Sequence, residues 1–112
     1  MLMYQFNNEI MSHIKQNQVI ISSYSVNPKT NTLTVILEDK LATTSAKFIK
    51  LLFKDFIVTN ETFEIEGLPI TQVYVERHVQ YFKSNYFVGL GLIIKNPKDP
   101  KQTVVIRTKD GD

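Results

Sequence analysis

The chain contains no cysteine. Disulfides, thiolate zinc sites, iron–sulfur clusters and a cysteine nucleophile are therefore excluded, while either redox compartment remains compatible. Histidine occurs only as His13 and His78, which without thiolate neighbours do not complete a zinc set. Arginine is confined to Arg77 and Arg107, and lysine supplies the rest of the 13 basic residues. Lysine is the usual solubilising charge, whereas the planar fork of arginine suits fixed bidentate contacts, so the two arginines are the more informative cations. The longest apolar stretches, around 48–53 and 87–94, are too short to cross a bilayer. The first six residues carry neither a basic n-region nor a sustained apolar run, so no signal peptide is expected. These absences predict a cytoplasmic or intracellular protein with no membrane partner.

With 112 residues, 43% hydrophobic and 21% charged, the composition fits one ordinary globular domain over 1–112, able to bury roughly two-thirds of its unfolded surface. The formal net charge of +2, from 13 basic and 11 acidic residues, is far from the concentrated positive field of a dedicated nucleic-acid protein.

The spacing predicts a short helix over 7–16, capped by Asn7, with Phe6, Ile10 and Ile14 on one side and Met11 beside them. Residues 18–26 and 32–38 read as a β-hairpin. Ile20, Tyr24 and Val26 alternate on its first arm, Leu33, Val35 and Leu37 on its second, and the turn cluster lies at 27–31. Over 39–56, Leu41, Ser45, Phe48, Ile49, Leu52, Phe53 and Phe56 fall on one helical stripe, with Asp39, Thr43 or Thr44 as N-cap. Strands are expected over 62–66, 70–82, 86–95 and 103–108, with a frayed tail over 109–112. The fold expected is a single α+β domain in the order α-β-β-α-β-β-β-β, mostly antiparallel, with two helices packed on one face.

Hydrophobic pattern sets strand register. A two-residue turn at Ser84–Asn85 places Tyr81 opposite Val88, Val79 opposite Leu90, Arg77 opposite Leu92 and Val75 opposite Ile94. Arg77 is then the one cation on an apolar face. Burying it unpaired costs several kcal/mol, so Arg77 is a candidate structural ion pair with Glu64 or Glu66, or sits at a bulge at Glu76–Arg77. In the last hairpin Ile94 falls opposite Val104, Leu92 opposite Ile106 and Gly91 opposite Arg107. His78, Gly91 and Arg107 thereby form an outward row, with Gly89 beside it and Tyr74, Phe82 and Phe87 around it. Such a floor of two glycines can hold a flat or anionic group or a partner.

Lys47, Lys50 and Lys54 share one side of the expected second helix and form a candidate nucleic-acid face. Gly89-Leu90-Gly91 lies inside a strand and lacks the strand–turn–helix setting of a phosphate loop. No nucleophile, base and orienting acid are linked by spacing, so no catalytic residue, metal ligand or cofactor is assigned. The reading is a small non-enzymatic binding protein that acts through its sheet face or edge, alone or as a homodimer. The alternatives are a nucleic-acid-binding accessory protein using the lysine face with Arg107, and a binder or enzyme taking a small anion at the Gly89/Gly91 floor.

Overall fold

Alternating residues build this chain into paired strands rather than into a sheet overlaid by helices. The computed structural model describes residues 8–43, 47–59, 64–74, 77–81, 84–88 and 90–108. Among these residues one helix, α1 (Asn8–Lys15), precedes nine strands: β1 (Val19–Asn27), β2 (Thr32–Asp39), β3 (Phe48–Lys54), β4 (Phe56–Val58), β5 (Ile70–Tyr74), β6 (Arg77–Tyr81), β7 (Ser84–Val88), β8 (Gly91–Asn96) and β9 (Asp99–Thr108). β1-β2-β3 form one antiparallel sheet, β4-β9-β8-β5 a second, and β6-β7 a two-stranded ribbon.

α1 occupies the expected first helix; its expected cap, Asn7, lies outside the described residues. The helix ends where Asn17 turns left-handed (φ 60). The Asn17 and Gln18 amides then donate to the Ile14 and His13 carbonyls, at 3.0 Å each, which satisfies the last turn. Ile14 is buried, and Ile10 and Met11 pack against the same core.

The first hairpin also forms where expected, with one correction to its faces. A bulge between Ile21 and Ser23 shifts the register, so Val19 and Ile21 face the core before it and Tyr24 and Val26 pair with buried Val35 and Leu33 after it. Ile20 therefore does not share a row with Tyr24 and Val26. One extra residue reverses the alternation, and no turn residue marks it in the sequence.

The second helix is not formed, and the α+β expectation is corrected to a mostly β domain with a single short helix. The cause lies in β3. Residues 48–54 alternate strictly, with Ile49, Leu51 and Phe53 buried and Phe48, Lys50, Leu52 and Lys54 exposed. In β2 the buried residues Leu33, Val35 and Leu37 meet Phe53, Leu51 and Ile49 one for one. The helical stripe left Leu51 out of the core; the strand buries it to 1% exposure. A short apolar run carries both periods, and the partner strand decides between them.

The two sheets are joined at opposite corners. Beyond β3, Asp55 adopts a left-handed conformation (φ 50) and donates its amide to the Asn31 carbonyl at 2.9 Å. The chain then enters the other sheet as β4, paired with β9. At the far corner Ile20 bridges Pro69, the Ile21 amide donates to the Leu68 carbonyl at 2.9 Å and the Gly67 amide to the Ile21 carbonyl at 2.8 Å. The two sheets are thus linked at both corners around Leu33, Val35, Leu37, Ile49, Leu51, Phe53, Ile70, Leu92, Ile94, Val104 and Ile106. Of the strand expected over 62–66, residues 62 and 63 lie outside the described residues; Glu64–Glu66 is loop, with Ile65 buried. β9 begins earlier than expected, at Asp99, because Pro100 is tolerated on an edge that β4 reaches only at its other end.

β5 pairs with β8 and β6 with β7 in one common register. Tyr81 pairs with Ser84, His78 with Phe87, Arg77 with Val88, Tyr74 with Gly91 and Val73 with Leu92. Every pair is four residues away from the expected register, so Val79 meets Tyr86 rather than Leu90 and Arg77 does not meet Leu92. A shift by an even number returns each residue to its own face, so apolar still opposes apolar and the pattern alone does not distinguish the two registers. A bulge at Thr71 lets both Ile70 and Val73 pair with buried residues of β8. The last hairpin pairs as expected: Ile94 with Val104, Leu92 with Ile106, Gly91 with Arg107. The expected frayed tail, 109–112, lies outside the described residues.

Candidate functional site

The register decides which residues of the expected glycine floor meet. Gly91 of β8 lies between Tyr74 of β5 and Arg107 of β9, so the cross-strand row is Tyr74–Gly91–Arg107. His78 is carried along the ribbon to Phe87, away from Gly91. Phe82 and Gly89 lie outside the described residues. Gly91 is buried, and a Cβ built on it would run into the Tyr74 ring; the tyrosine covers the floor at this residue. Arg107 is exposed and donates from its guanidinium to the Thr108 carbonyl at 3.5 Å.

Glu64, one expected partner of Arg77, accepts a hydrogen bond from the Tyr24 hydroxyl at 3.1 Å. That bond, followed by partial burial and the charges of Glu64 and Glu66, raises the Tyr24 phenol above its ordinary value.

The lysine face is re-formed on a strand. Lys50 and Lys54 are exposed on the outer side of β3, separated by Leu52. Four residues of strand span about 13 Å, against about 6 Å on a helix, so the charges are spread rather than gathered into one row. Lys47 precedes the strand, its Nζ 5.2 Å from the centroid of the Phe48 ring.

Between these lysines lie two exposed large apolar side chains, Leu52 at 56% and Phe48 at 48%; Val26, near the end of β1, is exposed to 51%. Across the strand pair Phe48 faces Glu38, Lys50 faces half-buried Ile36 and Leu52 faces Thr34. Leu41, in the connection leading to β3, is also exposed. β3 pairs with β2 along one edge, and no described strand pairs with its other edge. The helical reading had placed Phe48 and Leu52 in the core. The usable signal was the lysine spacing: Lys50 and Lys54 share the parity of Phe48 and Leu52, and lysines mark a solvated face.

His13 and Asp39, which carried no expected role as a pair, join α1 to the end of β2. The His13 Nδ1 donates to Asp39 Oδ2 at 2.7 Å, and the Leu41 amide donates to Asp39 Oδ1 at 3.0 Å. Both oxygens of this buried carboxylate are thereby held by the fold. Among the described residues, no group of three His, Cys, Asp or Glu side chains is placed to hold a metal ion, and no helix is long and apolar enough to cross a membrane.

The outer side of β3 therefore carries apolar exposure that the core does not use, and it has no counterpart from which to borrow a role: no family model matches the chain, and no curated protein or solved structure matches it.

Proposed function

We propose that the chain is a non-enzymatic binding protein that engages a protein partner, or its own copy, through the outer face and free edge of β3. The observation that carries this reading is the exposure of Phe48 and Leu52 on a strand whose alternate residues are fully used by the core. Burying either side chain against a partner is worth about 1.5–3 kcal/mol at full burial, and an open strand edge supplies backbone donors and acceptors for an added strand. Replacing Phe48 and Leu52 together by serine removes this surface and leaves the core row untouched. A protein retained from the native host by the wild-type chain and released by F48S/L52S supports the reading. Identical retention by both chains overturns it.

A second reading, nucleic-acid binding, draws on the exposed Phe48 ring beside Lys47, with Lys50 and Lys54 further along the same strand: an aromatic can stack a base while lysines meet phosphates. Its signature is affinity for single-stranded oligonucleotides that falls steeply with salt and is lost in F48S; salt-independent binding disposes of it. The small-anion reading has less support, because Tyr74 covers Gly91.

A further inference from the structure

We infer that β3 pairs with β3 of a second copy, antiparallel about a two-fold axis at Leu51, to make a continuous six-stranded sheet β1-β2-β3-β3-β2-β1. This rests on the reading of β3 as the binding surface and names its occupant.

The argument starts from the edge. β2 occupies one side of β3, and among the described residues the other side has no strand, since the chain turns at Asp55 before β4 meets β9. β3 reads Phe-Ile-Lys-Leu-Leu-Phe-Lys and carries no acid, so self-pairing must be solved without a salt bridge. Opposed residues of an antiparallel pair point to the same face, so the core row Ile49, Leu51, Phe53 stays on the core side only when even meets even and odd meets odd. With two-fold symmetry and most of the strand overlapped, three registers remain. Centring on residue 50 sets Lys50 against Lys50 of the second copy. Centring on residue 52 sets Lys50 against Lys54. Like charges directly opposed oppose pairing, and lysine on an edge commonly serves to prevent it.

Centring on residue 51 sets no lysine against a lysine. Lys54 falls opposite Phe48, and Lys50 opposite Leu52, whose side chain its methylene stem can cover. The Lys54–Phe48 contact repeats between copies what Lys47 makes with Phe48 within one chain, at 5.2 Å. On the core side Leu51 meets Leu51, and Ile49 meets Phe53. The two exposed apolar side chains of β3, Phe48 and Leu52, thus both receive a partner from the same symmetry operation.

The chain's lack of cysteine makes the register directly testable. Lys50→Cys and Leu52→Cys are prepared separately, both at exposed positions, and oxidised alone and mixed. Directly opposed positions lie within disulfide reach, while diagonal ones at about 7–8 Å do not. The expected result is little cross-linking in either variant alone and a disulfide heterodimer in the mixture, with the wild-type chain sedimenting as a dimer and Leu52→Lys shifting its dissociation constant upward at least tenfold. Efficient self-cross-linking of Lys50→Cys alone, or of Leu52→Cys alone, overturns the proposed register. A wild-type chain that sediments as a monomer overturns the dimer. If that monomer still retains a host protein that F48S/L52S loses, β3 remains a binding surface and only its occupant was misassigned.

Discussion

Gly91 and Tyr74 share one cross-strand position, and the ring occupies the space that a methyl group on Gly91 would need. The backbone of Gly91 is ordinary strand, so its requirement is for room rather than for an unusual φ. Gly91→Ala must push the ring aside, at a cost of about 1–3 kcal/mol for such overpacking. The expected outcome is a melting temperature lower by several degrees, largely restored when Tyr74→Ala is added; a full-sized loss persisting in the double variant would contradict the contact. At Tyr24 the hydrogen bond to Glu64 favours the neutral phenol, so the folded-state pKa is raised. The associated stability is fully present below about pH 10, the unfolded value, and is lost as pH rises from there through the folded value. In a spectrophotometric titration of the folded chain, Tyr24→Phe should remove a phenol from the late-ionising end of the curve, and Glu64→Gln should move that phenol earlier. A curve unchanged by either variant would show that the bond does not persist in solution.

β3 is the element on which the sequence and the structure part. The helical and strand readings share Ile49 and Phe53 as core residues, and they exchange Leu51 and Leu52: the stripe buries Leu52, the strand buries Leu51. Leu51→Ala should therefore cost about 2–5 kcal/mol and Leu52→Ala within about 0.5 kcal/mol, read from chemical denaturation of each variant at a concentration low enough to keep the chain monomeric. The reverse order would restore the helix. α1 and the first hairpin were legible because each carries its own local markers, an apolar stripe for one and a turn cluster between alternating runs for the other. β3 carries no such marker, and its identity comes from Leu33, Val35 and Leu37 across the sheet. The register shared by the β5–β8 and β6–β7 pairs is illegible for a related reason. A displacement by four residues preserves every face, so it was Tyr74, not His78, that reached Gly91. The candidate surface follows the same rule: the helical period puts Phe48 and Leu52 in the core, whereas the alternation of Leu92 and Ile94 against Val104 and Ile106 gives the pairing of Gly91 with Arg107, which an irregularity between Lys95 and Asn96 reconciles with the tight turn.

At the scale of the molecule, links at both corners and a shared core should make the two sheets unfold as one cooperative unit. Asp55 hands the chain from one sheet to the other, and the Ile20–Pro69 bridge returns it, while a single cluster of buried side chains draws on both sheets and α1. The radius of gyration, 13.6 Å, is close to the roughly 13 Å of a compact chain of this length. Far-ultraviolet circular dichroism, reporting strands, and tyrosine fluorescence, reporting packing, should therefore lose signal in one coincident transition at fixed protein concentration. Two separated transitions would mean that the sheets unfold independently and that the corners do not couple them.

The sequence by itself determined the absence of thiol chemistry, the first helix, the first hairpin and the pairing of the last one, since each follows from composition or from a local hydrophobic pattern. Tertiary structure decided that residues 48–54 are a strand, which side of it meets solvent, and which residue covers Gly91. Those outcomes depend on what lies opposite, and a chain read along its length contains the candidates for each partner without the geometry that selects one.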